Sequence, residues 1–142
     1  MTESVLLVAS QEKLTAALDI LFASVDAYVP FDPAGIYTPK EREPYDALTD
    51  RYLRAFESSL KFFRTLERFR EAAPSDSFRD LLQRMEKYGV ITGVPLWIDM
   101  RDTRNRITHE YLPEELEKIY ADIVGVATRE LRHVLGKSIE SK

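Results

Sequence analysis

The chain has 142 residues, 44% of them apolar and 31% charged, with no cysteine and a net charge of −4. That length is one domain's worth and can bury a core without covalent staples, while the missing thiols exclude disulfides, zinc ribbons and cysteine nucleophiles. The acidic balance, with a pI near 5.3, argues against a broadly basic nucleic-acid binder.

The N-terminus opens Met1-Thr2-Glu3 without a basic run, so no signal peptide is expected. The longest apolar run, Val5–Ala9, is far short of a membrane span. A cytoplasmic protein is the expectation.

Ser10–Tyr28 places Leu14, Ala17, Leu18, Leu21, Phe22 and Val25 at three- and four-residue spacing, which predicts an amphipathic helix with Ser10 as its cap. Lys13 stands where a capping box would carry an acid. Val29–Pro44 then holds Pro30, Pro33, Pro39 and Pro44 together with Gly35, and reads as a long loop. Its aromatics, Phe31 and Tyr37 with Tyr28 just before, are expected to pack under it rather than stack on bases.

From Tyr45 to Arg70 the helical period runs through Leu48, Tyr52, Phe56, Leu60, Phe63 and Leu66, giving the longest helix, which Pro74 ends. Between Arg51 and Arg70 six cations face two acids, Glu57 and Glu67, a pattern that usually marks a solvated face. A third helix carries Phe78, Leu81, Leu82, Met85 and Tyr88, capped by Ser75 or Asp76, with Gly89 as its C′ residue.

A fourth helix starts near Pro95 and runs through Trp97, Met100, Arg104 and Ile107 to about His109. Trp97 reads as core or dimer interface. Leu112 precedes Pro113 and is pushed out of the α region, so the chain turns there. Pro113 opens the fifth helix, with Glu114, Glu115 and Glu117 at its positive end and Arg129, Arg132, His133 and Lys137 near its negative end. Its expected buried stripe is Leu116, Ile119, Ile123, Val126 and Val134. No strand pattern and no repeat is visible. The fold class is an all-α bundle of about five helices in one domain, residues 1–142.

The chemistry is concentrated in Arg101–Tyr111, where six of eleven positions are charged or carry imidazole. His133, the other histidine, is accounted for by the end of a helix. Asn105 and His109 are four apart and share a face of a continuous helix, so the amide can orient the imidazole. Arg104 and His109 are five apart, about 140° around a helix. Bringing them together needs an unwound helix end or a second copy of the segment in a symmetric dimer.

An imidazole to move a proton and a guanidinium to stabilise phosphate charge are the groups that metal-free cleavage of RNA by its own 2′-hydroxyl requires. Other sites fail. Gly136-Lys137-Ser138 lacks the earlier glycine of a phosphate loop, since position 131 is Leu131. Asp99, Asp102, His109 and Glu110 match no metal-ligand spacing, so no metal and no cofactor is expected.

Arg104-Asn105-Arg106-Ile107-Thr108-His109-Glu110-Tyr111 fits the R-x4-H-x-Y signature of HEPN-domain proteins, and the polar residue after the arginine resembles the HepT group. The flanking Trp97–Asp102 and Leu112–Glu114 are also similar to that group. The resemblance implies a HEPN-like helical fold and a symmetric homodimer whose two motifs meet in a cleft. It implies a metal-independent endoribonuclease toxin, paired with a minimal nucleotidyltransferase antitoxin that modifies the motif tyrosine with AMP groups. Carried across, Arg104 and His109 become catalytic, Asn105 the polar supporter, and Tyr111 the modified or RNA-contacting position. The same motif also suits a non-catalytic binding subunit of a minimal nucleotidyltransferase, or a helical dimerisation module whose charged run merely ends a helix.

Overall fold

A computed structural model of the chain describes residues 2–109 and 112–141, the side chain of Ser141 aside. It is all-α, and no strand occurs among the described residues. The helices are α1 (Glu3–Asp26), α2 (Pro39–Arg70), α3 (Phe78–Lys87), α4 (Val94–Ile107), α5 (Pro113–Asp122) and α6 (Thr128–Ser141), with a π-helical segment, Ile123–Ala127, between the last two. Asp122, Ile123 and Thr128 all keep right-handed helical dihedrals, so α5, the π segment and α6 make one continuous rod. The bundle is therefore built of five rods, as the periodicity predicts. No helix among the described residues is long and apolar enough to cross a membrane.

The first helix starts earlier than its apolar stripe. Thr2 is the cap, its hydroxyl accepting from the Val5 N–H at 3.3 Å, and Ser10 lies inside the helix with its hydroxyl turned back on the Leu7 carbonyl at 3.3 Å. The turns before Ser10 bury only Leu7 and leave Val5 and Val8 exposed, so they carry no one-sided pattern for periodicity to detect.

The second helix also starts earlier. Thr38 and Glu41 form a complete capping box: the Glu41 N–H donates to the Thr38 hydroxyl at 3.2 Å, and the Thr38 N–H donates to the Glu41 carboxylate at 3.0 Å. Pro39 and Pro44 therefore belong to α2 and not to a loop reaching residue 44. Pro39 sits at the first helical position, where a missing N–H costs nothing. Pro44 removes one bond, to the carbonyl of Lys40 in the exposed first turn. The true connection is residues 27–38, and its aromatics do pack inward. Phe31 is buried, stacked on Tyr37 at 4.9 Å and edge-on to Tyr45 and Tyr120 at 5.1 and 5.3 Å.

Ser77, rather than Ser75 or Asp76, caps α3, accepting from the Asp80 N–H at 3.1 Å. The helix closes in a Schellman motif: Gly89 N–H donates to the Glu86 carbonyl at 3.0 Å and Val90 N–H to the Met85 carbonyl at 2.9 Å. Gly89 has φ of +79° and nothing within 4 Å of where a Cβ would stand. Gly89→Ala should therefore cost about 1 kcal/mol, all of it backbone strain. A lowered urea midpoint with unchanged m-value, smaller for Gly89→Asn, is the expected reading.

His133 is not explained by solvent and a helix end alone. Its Nε2 lies 3.0 Å from the Gly89 carbonyl oxygen, tying α6 to the α3 terminus. The stripe on the last rod also departs from expectation. Ile119, Ile123 and Val134 are buried, Leu116 is half-buried, but Val126 is 39% exposed. The π segment inserts an extra residue into the turn and rotates the helix beyond it, so Ala127 and Leu131 take the inward positions. The Thr128 hydroxyl donates to the Ile123 carbonyl at 2.7 Å across that wide turn.

The core is centred on α2. Trp97, fully buried, lies between Phe56 at 5.7 Å and Phe63 at 4.9 Å. This places α4, and with it the charged run, directly on the longest helix.

Candidate functional site

Three contacts fix the C-terminal half of α4 against α2. The Tyr52 hydroxyl, buried, donates to the Met100 carbonyl at 2.7 Å, and burial pushes this phenol far above its usual range. One turn on, Arg104 reaches back to α2. Its Nη1 donates to the Glu57 carboxylate at 2.6 Å, and its guanidinium lies 5.1 Å from the centroid of Phe56. The ring that carries the guanidinium is the one that stacks on Trp97. Arg104 is thus set on the core like a plate on a column, with its side chain still 28% exposed.

The Arg104 Nε donates to the Asn105 side-chain oxygen at 3.3 Å. Asn105 therefore supports the arginine and not the histidine. The reason is local: α4 ends at Ile107, and Thr108 and His109 form a turn, so the four-residue helical spacing from Asn105 to His109 is broken. The turn is held by the His109 N–H on the Arg106 carbonyl at 3.1 Å and the Thr108 hydroxyl on the Asn105 carbonyl at 3.2 Å. Across it, Arg106 pairs with Glu115 in the first turn of α5. His109 is exposed, and its ring makes no hydrogen bond among the described residues.

The structure thus brings Arg104 and Asn105 together, adds Glu57 and Phe56, and leaves His109 presented to solvent on the adjoining turn. Tyr111 and Glu110 lie outside the described residues. Residue spacing does not reveal Glu57 as the partner of Arg104. The one available signal is that it is one of only two acids among the six cations of residues 51–70.

On the other side of α4 a groove of about 390 Å³ opens against the last rod, lined by Asp99, Asp102, Arg106, Lys118, Asp122 and Val126 among others. Among the described residues no group of three histidines or carboxylates is placed to share a metal ion.

A guanidinium held by Glu57 and Asn105 and still 28% exposed can bind a phosphate, and an exposed imidazole on the following turn can exchange a proton. Comparison with protein-family models and with curated proteins finds no match to this chain.

Proposed function

We propose that the chain is a metal-independent endoribonuclease of the HepT-like HEPN type, the toxin of a two-gene module. The observation that carries this reading is the array at the end of α4. Arg104 is held by Glu57, Phe56 and Asn105, while His109 stands exposed on the next turn, within the R-x4-H-x-Y spacing.

In the proposed reaction the 2′-hydroxyl of the RNA attacks the adjacent phosphorus. An imidazole of His109 takes its proton, and the edge of the Arg104 guanidinium not engaged by Glu57 and Asn105 stabilises charge growing on the non-bridging oxygens. A protonated imidazole then returns a proton to the departing 5′-oxygen, leaving a 2′,3′-cyclic phosphate and a free 5′-hydroxyl. One His109 serves both roles in turn, or two serve one each. The second arrangement fits a symmetric homodimer that brings two copies of the motif into one cleft.

The partners in this reading are a second copy, the RNA substrate and a minimal nucleotidyltransferase antitoxin, all in the cytoplasm. Nucleotidylation of Tyr111, two residues after His109 in the sequence, would add bulk and negative charge to the motif and repel RNA.

The test is cleavage of RNA by the purified chain in excess chelator, beside an Arg104→Ala/His109→Ala double variant of confirmed fold. Chelator-resistant cleavage to cyclic-phosphate ends that disappears in the double variant is the expected result. An inactive wild-type dimer, with mass spectrometry showing a bare Tyr111, overturns the nuclease and favours the non-catalytic partner of a nucleotidyltransferase.

A further inference from the structure

We infer that the exposed face of α2 is a binding track for a single-stranded phosphodiester backbone, leading away from Arg104. Glu57, Lys61, Arg64 and Arg68 succeed one another at spacings of four, three and four residues. They therefore share one face of the helix, rising about 16 Å from first to last. Glu57 holds Arg104, so the arginine of the α4 array stands at the head of this row.

The charge of the row is not balanced among the described residues. The two acids between residues 51 and 70 are both engaged by cations from other helices: Glu57 pairs with Arg104, and Glu67, buried, pairs with Arg84 at 2.9 Å. Three of the six cations are likewise engaged. Arg51 donates to Ser24 and the Ile20 carbonyl, Arg54 pairs with Asp50, and Arg70 covers the Tyr88 ring. Lys61, Arg64 and Arg68 remain exposed, and none of them has an ion pair among the described residues.

These three line a groove of about 400 Å³ between α1 and α2, whose opposite wall carries Lys13 and the apolar edge of Leu6. Ser58 in its lining adds a hydroxyl, while the Thr65 hydroxyl donates to the Lys61 carbonyl at 2.8 Å. Cations repeating along a narrow trough suit a linear polyanion, in which each phosphate meets a charge while sugar edges lie on the short side chains. A duplex would need a wider surface than this trough between two helices offers. That the strand is RNA and continues to His109 rests on the nuclease reading. That the groove binds a phosphate backbone rests on the charges alone.

The experiment measures binding of a labelled single-stranded RNA to the full chain as salt is raised, with Lys61→Gln, Arg64→Gln and Arg68→Gln combined. All three side chains are exposed, so an unchanged melting temperature is expected and is checked first. The combined variant should bind at least about tenfold more weakly at low salt. Its slope of log affinity against log salt should fall by about 2, from about 0.7 for each phosphate contact on a single strand. Equal affinity and slope in wild type and variant overturn the track, whether or not the chain cleaves RNA. Binding to phosphatidylserine vesicles but not to RNA overturns it also. Strand binding that depends on these three residues in a chain that cleaves nothing upholds the track and sinks the nuclease.

Discussion

His109→Ala should slow RNA cleavage by about 10²–10⁴-fold, the usual contribution of a positioned general acid–base group, while RNA affinity stays nearly constant. The ring is exposed and accepts or donates nothing among the described residues, so its removal orphans no partner among them and the melting temperature should not move. The loss should fall on kcat, because the proton transfers belong to the transition state. Arg104→Lys tests the complementary half. A lysine keeps the charge but loses the planar fork that donates to Glu57 and Asn105 at once. Here both KM and kcat should suffer, since the group that binds the phosphate also stabilises its transition state. Steady-state kinetics on one defined RNA separates the two patterns. A His109→Ala enzyme that keeps wild-type kcat removes the histidine from the chemistry.

The bundle is legible in the sequence because apolar spacing and prolines report on different things, and where the two agree the helices lie where expected. The stripe from Tyr45 to Leu66 and the break at Pro113 are both present in the structure. The boundaries that differ have a common cause. Helix starts are fixed by side-chain caps rather than by apolar stripes, and the Thr38-Pro39-Lys40-Glu41 run carries a full capping signature that the cluster of prolines obscures. The same holds for Thr2.

The π segment is invisible in the sequence for a different reason. It depends on which register the last rod adopts against α1 and α2, and only packing settles that. The candidate site shows the same division. Arg104 and His109 are visible as residue types in a spacing, but Glu57 comes from a different helix. A local motif carries no information about a side chain that crosses to meet it from 47 residues away.

Glu130→Ala should be among the most destabilising single changes in the chain, at about 3 kcal/mol or roughly 10 °C in melting temperature. Nothing in its sequence neighbourhood marks Glu130. It sits on a cationic stretch of α6, yet it is only 3% exposed. Its carboxylate accepts the Trp97 indole N–H at 2.8 Å, the Thr92 N–H at 2.9 Å and the Thr92 hydroxyl at 2.7 Å. One buried charge thereby fastens α6 to α4 and to the turn before it. Thr92 is exposed and can give its donors to water once the carboxylate is gone. The Trp97 nitrogen cannot, because the whole side chain is buried against Phe56 and Phe63. The orphaned indole and the cavity supply most of the cost. Glu130→Gln should cost less, since its amide oxygen still accepts one donor. Trp97→Phe in the Glu130→Ala background should cost less than Trp97→Phe alone, because the donor it deletes has already lost its acceptor. Urea unfolding of the four proteins gives that coupling directly. The same column carries Phe56 and, on its outer face, Arg104, so an anchor on α6 helps to hold still the guanidinium on α4.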